Sequence, residues 1–456
     1  MTIFEQRESE VRGYSRSFPT TFATASGATL TDIEGRTFID FFGGAGALNY
    51  GHNEPHLTAA LTDYIATGGI THALDMQTEA KAKFLETFER IVLQPRGMDF
   101  KVMFPGPTGT NAVEAALKLA RKVTGRPNVV SFTNGFHGMT LGSLAVTGNA
   151  GKRAGAGVPL HHVIRMPFEG YHGDGRCASC PRSGGSGCCT LVEFERLLTD
   201  GSSGIEMPAA VIVETVQAEG GVRPASYTWL RGLRELTRRH GILLIVDDIQ
   251  VGCGRTGPFF SFDPIGIEPD IVCLSKSLSG LGLPFALTLF RRDLDVWAPG
   301  EHNGTFRGFN WAMVTATTAL ERYWDGDHFR REVEHKAAVA AEMFDDMAHH
   351  FGLRHRGRGM IRGLVFDDAE WADAATTAAF ERGLLVETAG ARGEVVKLLS
   401  PLVITEEQLA DGMSRLRDAI EATRPAAMNH LDVTAPHAVV TESSESNGTP
   451  VEEARL

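Results

Sequence analysis

The stretch Gly241-Ile242-Leu243-Leu244-Ile245-Val246-Asp247-Asp248-Ile249-Gln250 is a run of apolar residues that ends in two carboxylates. An uninterrupted apolar run of this kind predicts a strand buried on both faces, as in a parallel sheet. A second run, Asp270-Ile271-Val272-Cys273-Leu274, leads into Ser275-Lys276-Ser277. Lys276 follows Asp247 by roughly 30 residues, the spacing expected of one strand–helix–strand step. We therefore expect a carboxylate at the end of one parallel strand and a lysine after a later one.

This pairing is the one that enzymes dependent on pyridoxal 5′-phosphate (PLP) need. The amine of Lys276, placed between small residues, can form a Schiff base with an aldehyde. The carboxylate of Asp247 can keep a pyridine nitrogen protonated, so that the ring accepts electrons. Taken singly, Lys276 could be a solvated surface charge and Asp247 a helix cap or loop carboxylate. Taken together, they favour a catalytic pair.

Helices and short apolar strands alternate through the middle of the chain. The spacing of apolar residues predicts a helix over residues 110–123 and strands over 128–132 and 209–213. Residues 229–240 predict a helix that leads into the strand ending at Asp247. This alternation predicts an α/β fold with a mostly parallel sheet covered by helices.

A chain of 456 residues is too long for one simple core, and we expect two domains. Two alternating strands are predicted within residues 27–41, and strands of a smaller α+β domain within 363–366 and 395–399. The expected boundaries are residues 1–70 for the amino-terminal part of the small domain, 71–318 for the large PLP-binding domain, 319–425 for the rest of the small domain and 426–456 for a disordered tail.

Composition indicates an ordinary globular chain, with 43% hydrophobic and 22% charged residues. A formal net charge of -12 argues against a general nucleic-acid binder. The first residues lack the apolar core of a signal peptide, and no apolar run is long enough to span a bilayer. We therefore expect a cytoplasmic protein that binds neither nucleic acid nor membrane.

The cysteines divide into two groups. Cys253 and Cys273 lie in apolar segments and are expected to be small core residues. The others lie in a Gly-, Ser- and Arg-rich loop at about residues 170–190: Cys177, Cys180, Cys188 and Cys189. Four nearby thiols could bind zinc, but their spacing matches no standard zinc module, and reduced thiols in a surface loop are the alternative. We assign no metal.

A bound phosphate group needs hydrogen-bond donors for its negative charge. The candidate site is the loop directly before the predicted helix, Pro105-Gly106-Pro107-Thr108-Gly109-Thr110-Asn111. Backbone N–H groups and hydroxyls could converge there on an anion, although the loop could also be a capped helix start. Phe136 could stack on a flat ring, Gln250 could bind a ring hydroxyl, and the polar loop His302–Gly308 could add a phosphate contact across a dimer interface.

Seven short motifs carry a resemblance to a known family: Gly46–His52, Thr108–Ala112, Phe136–Gly138, Val213–Gly221, Asp247–Gln250 with Gly254–Gly257, Ser275–Ser277 and Gly304–Thr305. In this combination the chain resembles the class III, or ω-aminotransferase, branch of the fold-type I PLP-dependent transferases over about residues 10–425. The resemblance implies a homodimer or higher homo-oligomer with active sites at the interface.

Carried over by position, the resemblance implies a role for each cofactor residue. Lys276 would form the Schiff base and Asp247 would bind the pyridinium nitrogen. The remaining contacts would be Gly109 and Thr110 with the phosphate, Phe136 with the ring face, Gln250 with the ring hydroxyl, Thr305 with the phosphate of the neighbouring subunit, and His137 within the same site.

Within the class, the chain resembles the branch that makes L-2,4-diaminobutyrate and 2-oxoglutarate from L-glutamate and L-aspartate 4-semialdehyde, for ectoine, siderophore or peptide synthesis. Three departures from ornithine- and GABA-type relatives support this narrower assignment. Ala45 replaces a pocket aromatic, and Met139 replaces an arginine that many relatives have after the Phe136–Gly138 turn. Lys397 replaces the arginine that clamps the α-carboxylate of glutamate. A lysine clamp is a point charge and should hold a carboxylate more loosely.

Glu219 matches the gating glutamate of the family, and we expect it to pair with Lys397. Ala45, Met139, Glu219 and Lys397 are thus the expected substrate-binding residues. Three alternatives stay open. They are another ω-aminotransferase acting on ornithine, GABA or a β-amino acid, a PLP aminomutase of the glutamate-1-semialdehyde type, and a cofactor-binding regulator.

Overall fold

A computed structural model describes residues 2–171 and 189–426. Its strands are β1 (Phe22–Ser26), β2 (Thr29–Asp32), β3 (Thr37–Asp40), β4 (Phe100–Met103), β5 (Val129–Phe132), β6 (Val163–Met166), β7 (Ala210–Val213), β8 (Val216–Gln217), β9 (Arg223–Pro224), β10 (Leu243–Asp247), β11 (Ile271–Leu274), β12 (Leu287–Arg291), β13 (Arg354–Arg358), β14 (Ile361–Val365), β15 (Leu384–Leu385), β16 (Glu387–Ala389) and β17 (Val395–Leu398).

Its helices are α1 (Ile3–Arg7), α2 (Tyr14–Ser17), α3 (Gly43–Gly46), α4 (Pro55–Ala66), α5 (Glu79–Phe88), α6 (Gly109–Thr124), α7 (Leu141–Val146), α8 (Ala150–Ala154), α9 (Cys189–Thr199), α10 (Tyr227–Arg239), α11 (Asn310–Tyr323), α12 (His328–Phe351), α13 (Ala369–Glu381) and α14 (Glu406–Ala422). Short 3₁₀ turns occur at Gln94–Arg96, Asp263–Ile265, Lys276–Ser279, Arg292–Leu294 and Thr305–Gly308, and a π turn at Glu89–Leu93.

The central sheet has seven strands in the order β4-β12-β11-β10-β7-β5-β6. Strand β12 is antiparallel to both of its neighbours, and the pairs β11–β10, β10–β7, β7–β5 and β5–β6 are parallel. The prediction of an α/β fold with a mostly parallel sheet is therefore confirmed. The predicted strands ending at Phe132, Val213 and Asp247 are all present in this sheet.

Helices cover both faces of the central sheet because every central strand is apolar on both sides. One face packs against α6 through residues such as Ala116, Ile212 and Ile245. The other face packs against α10 and α11 through residues such as Trp229 and Val246. The strands therefore lie in the interior, and the ends of the strands are the places where side chains can reach a cavity.

One detail of the expected topology is wrong. Strands β10 and β11 are adjacent and parallel, but their connection, whose residues 248–270 are all described, contains the 3₁₀ turn Asp263–Ile265 and no α-helix. The connection carries Gly252, Gly254, Gly257, Pro258 and Pro264, and residues of these two types disfavour a helix interior. The crossover is therefore an irregular buried loop rather than a helical step.

Two smaller four-stranded sheets are formed by the terminal parts of the chain. One has the order β1-β2-β3-β15 and the other β13-β14-β17-β16. The described residues up to Thr423 form one compact unit, and the division at residues 70 and 318 stays a prediction. Most of the expected tail, residues 427–456, lies outside the described residues.

Arg255 joins several of these segments at the back of the loop after β10. Its side chain is fully buried, and its guanidinium donates to the carbonyl oxygens of Met360 (3.2 Å) and Ser400 (2.6 Å) and to Asn49 Oδ1 (2.5 Å). The backbone N–H of Asn49 in turn donates to Ser277 Oγ at 3.2 Å, beside Lys276. Arg255 thus fixes the segment that lies against the lysine.

We expect Arg255→Met to lower the free energy of unfolding by about 3 kcal/mol, because three buried acceptors lose a charged donor. Urea unfolding followed by tryptophan fluorescence measures this change. Arg7→Ala, at an exposed position of α1, is the matched control and should stay within about 0.5 kcal/mol of the parent. Equal stability of the two variants would contradict the structural role of Arg255.

Candidate active site

The parallel strands deliver the predicted catalytic pair to one edge of the sheet. Asp247 is the last residue of β10 and is paired in register with Cys273 of β11, three positions before Lys276. Glu214 follows the neighbouring strand β7 in the same direction. Because parallel strands end at the same edge, all three side chains meet there.

These side chains line a cavity of about 170 Å³. Every residue expected to contact the cofactor lines it except Thr305. The full lining is Gly109, Thr110, Phe136, His137, Gly138, Glu214, Asp247, Ile249, Gln250, Val251 and Lys276. The cavity therefore combines a helix amino terminus, an aromatic ring, two carboxyl groups and one amine.

Asp247 is held in place by His137. The carboxylate is 4% exposed, and its Oδ2 lies 2.7 Å from Nδ1 of the buried His137 ring. Its other oxygen accepts a hydrogen bond from the Ile249 backbone N–H at 3.2 Å. The His137 backbone N–H donates to Thr147 Oγ1 at 3.0 Å, which fixes the histidine itself. Asp247 is thus a positioned hydrogen-bond acceptor in the wall of the cavity.

Lys276 is held in an unusual backbone conformation. Its φ of +50° lies in the left-handed region, which non-glycine residues adopt rarely and at an energetic cost. Its Nζ donates to the carbonyl oxygen of Ala45 at 2.9 Å. Burial lowers the pKa of Lys276 to about 8, while the nearby Glu219 carboxylate acts in the opposite direction. A substantial fraction of this amine is therefore neutral near physiological pH.

The carbonyl oxygen of Ala45 comes from α3, a left-handed turn. The φ values of its residues Gly43, Gly44, Ala45 and Gly46 are +54°, +59°, +57° and +80°. A side chain at Gly43 would lie 2.4 Å from the Leu399 carbonyl oxygen, so glycine is required there. The turn aims the Ala45 carbonyl at both Lys276 Nζ and Gln250 Nε2, the latter at 3.0 Å. Ala45 therefore contributes its backbone, which the sequence alone did not reveal.

The expected phosphate site lies at the first turn of α6. The helix begins at Gly109, and Thr108 and Asn111 form a capping arrangement in which Thr108 N–H donates to Asn111 Oδ1 at 3.2 Å. Thr110 Oγ1 lies 2.7 Å from Thr140 Oγ1 and donates to Ser143 Oγ at 2.8 Å. Free N–H groups and hydroxyls at a helix amino terminus can bind an anion.

Glu214 is a carboxyl group of the cavity to which the sequence analysis gave no role. Its Oε2 accepts a hydrogen bond from the Phe136 backbone N–H at 2.9 Å. Burial and the nearby Asp247 charge raise the pKa of Glu214 well above its ordinary value. The position of Glu214 directly after the apolar run of β7 was the signal that could have identified it.

The Phe136 ring lines the cavity, and Lys152 Nζ lies 4.8 Å from its centroid.

The predicted ion pair between Glu219 and Lys397 is present. Lys397 Nζ donates to Glu219 Oε1 at 2.7 Å, and Glu219 Oε1 also accepts from Gln250 Nε2 at 3.0 Å. Gln250 thereby connects this pair to the cavity. Although burial opposes it, Lys397 and nearby Lys276 hold the pKa of Glu219 at about 2. The two partners therefore stay charged.

A second carboxylate, Glu387, also contacts Lys397 and was missed by the sequence analysis. Its Oε1 lies 3.1 Å from Lys397 Nζ. Glu387 and Lys397 are register partners on the antiparallel strands β16 and β17, so their side chains share one face of that sheet. Burial raises the pKa of Glu387, while Lys397 acts against this. The sequence pattern gave little indication of this strand, because β16 is only three residues long.

Other predicted residues lie elsewhere. Met139 is 52% exposed and Thr305 is exposed, and neither lines the cavity. The thiols of Cys177, Cys180 and Cys188 lie outside the described residues, whereas Cys189 begins α9. Within residues 2–171 and 189–426, no group of His, Cys, Asp and Glu side chains is arranged to hold a metal, and no helix is long and apolar enough to cross a membrane.

A second, larger pocket of about 570 Å³ contains none of the predicted site residues. It is open to solvent and is lined by residues of α11, α12 and the start of α14, including His328, His335 and Lys336. Of these two cavities, only the smaller one brings together buried ionisable groups of opposite charge, namely Asp247, Glu214 and Lys276. The smaller cavity is therefore the functional candidate.

Comparison with known proteins agrees with this geometry. Residues 12–420 match the model of the aminotransferase class-III family, and the chain belongs to that family. It is 57% identical over 423 residues to a diaminobutyrate--2-oxoglutarate transaminase of Nocardia farcinica, covering 92% of this chain and 94% of that protein. It is 54% identical over 420 residues to a protein of the same name from Halomonas elongata, covering 91% of this chain and 97% of that protein.

Solved structures show the same fold. The ornithine aminotransferase of Toxoplasma gondii matches with a TM-score of 0.76 and 25% identity, over 92% of this chain and 93% of that one. An S-selective transaminase of Bacillus megaterium matches with a TM-score of 0.80 and 23% identity, over 94% of this chain and all of the other. The prediction of a fold-type I transferase is therefore confirmed.

Class III aminotransferases depend on PLP, and the residues of the cavity fit that group. An amine of lowered pKa suits an aldehyde, a buried carboxylate suits a ring nitrogen, and a helix amino terminus suits a phosphate. The glycines help to shape the cavity: a side chain at Gly138 would lie 2.5 Å from Thr110 Oγ1.

We expect Lys276 of the cofactor-free protein to react with acetic anhydride along a pH curve centred near pH 8, because only the neutral amine is nucleophilic. Glu219→Gln should move the midpoint lower, since the variant loses a charge that favours the protonated amine. Mass spectrometry of the Lys276 peptide after brief exposure at each pH gives the curve. A midpoint near that of a free lysine side chain, about 10.4, would contradict the proposed environment.

Proposed function

We propose that this protein is a PLP-dependent aminotransferase that reversibly converts L-glutamate and L-aspartate 4-semialdehyde into 2-oxoglutarate and L-2,4-diaminobutyrate. The observation that carries the proposal is the cavity in which Lys276 and Asp247 share one wall with the amino terminus of α6. The substrate pair rests on relatives of that name at 52–57% identity, which cover more than nine-tenths of both chains.

PLP, when bound, supplies an aldehyde carbon that takes up an amino group and a ring that accepts electrons from the substrate carbon. Lys276 would hold the aldehyde carbon and Asp247 the ring nitrogen, with His137 keeping Asp247 in position. The other proposed contacts are Gly109 and Thr110 to the phosphate, Phe136 to the ring face, Gln250 to the ring hydroxyl and Thr305 to the phosphate of a neighbouring subunit.

Lys276 would also move the proton. Once its amine is released, its Nζ can take a proton from the substrate carbon and return it to another carbon nearby, provided that the amine is neutral. The low pKa of about 8 supports this role, because near that pH the amine is divided between both protonation states. The Ala45 carbonyl, 2.9 Å away, would hold the amine in position.

Lys397 would bind the α-carboxylate of glutamate. Its ammonium is fully buried and already paired with Glu219, so Glu219 must turn away before a substrate carboxylate can take its place. This exchange makes Glu219 a gate, and Gln250 would hold the gate closed when no carboxylate is present. Ala45, through its backbone carbonyl, and Met139, which lies outside the cavity of its own chain, are the other proposed substrate contacts.

We further propose a homodimer, a small domain built from residues 1–70 and 319–425 around the large domain 71–318, and a cytoplasmic location. Thr305 is exposed and does not line the cavity of its own chain, which is compatible with the proposed contact to a neighbouring subunit. The thiols of Cys253 and Cys273, which are buried and free, fit a reducing compartment.

The test is amino transfer from L-2,4-diaminobutyrate to 2-oxoglutarate, measured as glutamate formed and run beside ornithine and 4-aminobutyrate. We expect kcat/KM for diaminobutyrate to exceed the others by at least about tenfold. Lys276→Ala should reduce turnover by at least about a thousandfold. Preference for ornithine or 4-aminobutyrate would contradict the substrate, and turnover without an added amino acceptor would indicate a mutase.

Lys397→Met should raise the KM for glutamate by about tenfold or more, because a charged hydrogen bond to the carboxylate is lost. The visible absorbance of the bound cofactor should stay unchanged, which separates substrate binding from cofactor binding. The clamp would be refuted if the variant kept the KM of the parent for glutamate.

A further inference from the structure

Glu214 and Asp247 are neighbouring carboxyl groups at one edge of the central sheet. The parallel strands β7 and β10 pair Val213 with Val246, and Glu214 and Asp247 are the residues that come next in each chain segment. Both side chains line the cofactor cavity, and they are only 6% and 4% exposed. Two carboxyl groups therefore lie side by side in a buried place.

The two carboxyl groups differ in their partners. Asp247 lies 2.7 Å from His137 Nδ1 and accepts the backbone N–H of Ile249. Glu214 accepts the backbone N–H of Phe136 at 2.9 Å, and within residues 2–171 and 189–426 no basic side chain forms an ion pair with it. Burial penalises a carboxylate that has no cation, and a second carboxylate beside it adds to the penalty. The partners therefore favour the negative charge on Asp247 and a proton on Glu214.

The charges around Glu214 agree with this assignment. Burial and then the Asp247 charge raise the pKa of Glu214 well above its ordinary value, and Glu219 adds to the rise. The Phe136 N–H and the Lys276 charge act in the opposite direction but do not reverse it. When two neighbouring carboxyl groups cannot both ionise, the better-solvated or better-paired one takes the charge.

The same two carboxyl groups hold two successive residues of the turn after β5. Glu214 binds the backbone of Phe136, and Asp247 binds the side chain of His137. Gly135 lies against both attachments, because a side chain there would be 3.1 Å from His137 Nε2 and 3.7 Å from Glu214 Oε2. The Phe136 ring, which lines the cavity, is therefore held by Glu214 through the backbone.

We propose that Glu214 is a positioning residue that acts as an uncharged carboxylic acid. Its Oε2 holds the Phe136 backbone, so that the aromatic ring stays against the face of the bound cofactor. Its proton leaves Asp247 as the charged member of the pair, and Asp247 alone of the two then matches the positive charge on the ring nitrogen. The inference rests on PLP as the cofactor but not on which amino acids react.

The experiment titrates the cofactor-free protein with PLP and then records the visible absorbance of the loaded protein against pH. It compares the parent with Glu214→Gln, Glu214→Leu and Glu394→Gln. Glutamine keeps the shape and an oxygen acceptor without a charge, whereas leucine removes the acceptor. Glu394 is the matched control, because it is a buried glutamate whose carboxylate accepts the Arg392 N–H at 2.8 Å.

We expect Glu214→Gln to keep the Kd of PLP within about threefold of the parent and the pH midpoint of the absorbance within about half a unit, as Glu394→Gln should. Glu214→Leu should raise the Kd by about tenfold or more, because Phe136 loses its anchor. A larger fall of the midpoint in Glu214→Gln would show that a negative charge was removed, and it would overturn the inference. A Kd in Glu214→Leu equal to that of the parent would overturn the positioning role.

Infrared difference spectroscopy of the loaded parent against Glu214→Gln, near neutral pH, is an independent measurement that does not need the leucine variant to fold. We expect the variant to lose the carbonyl band of a protonated carboxylic acid. Loss of carboxylate bands instead would contradict the uncharged state of Glu214. Because neither measurement uses an amino substrate, failure of the proposed substrate pair would leave these results unchanged.

Discussion

The parallel pairing of β10 with β11 is the constraint on which the site depends. In that pairing the last residue of one strand and the turn after the next lie at one edge of the sheet, so Asp247 and Lys276 face a common cavity. The buried loop between them is held by Arg255, whose partner Asn49 contacts Ser277. The left-handed turn α3 then places the Ala45 carbonyl against the amine. A shift in the register of these two strands would separate the predicted catalytic pair.

Charge is arranged around this frame in two layers. The inner layer consists of Asp247 with His137, Glu214 and Lys276, in the cavity that suits the cofactor. The outer layer consists of Lys397, Glu219 and Glu387, connected to the cavity through Gln250. In the proposed function the inner layer carries the chemistry of the family, and the outer layer distinguishes amino acids that carry different charges. This separation explains how one fold can carry the same reaction to different substrates.

Much of this could be predicted from the sequence. The strand ending at Asp247, the helix beginning near Thr110 and the Glu219–Lys397 pair were each indicated by apolar runs or by resemblance, and all are present. The prediction of a helical crossover before β11 was wrong, because glycines and prolines interrupt that segment. The role of Ala45 was not foreseeable, since it depends on four successive positive φ angles. Glu387 was missed because it lies on a strand of only three residues, and so short an element leaves almost no periodic signal.

The central claim is that Lys276 holds the cofactor. Reduction of the PLP-loaded protein with sodium borohydride, followed by peptide mapping with mass spectrometry, tests this most directly. We predict a phosphopyridoxyl group on Lys276 in about one copy per chain, with Lys152 and Lys397 unmodified. A phosphopyridoxyl group on another lysine, or none on any lysine of a protein that binds PLP, would contradict the claim.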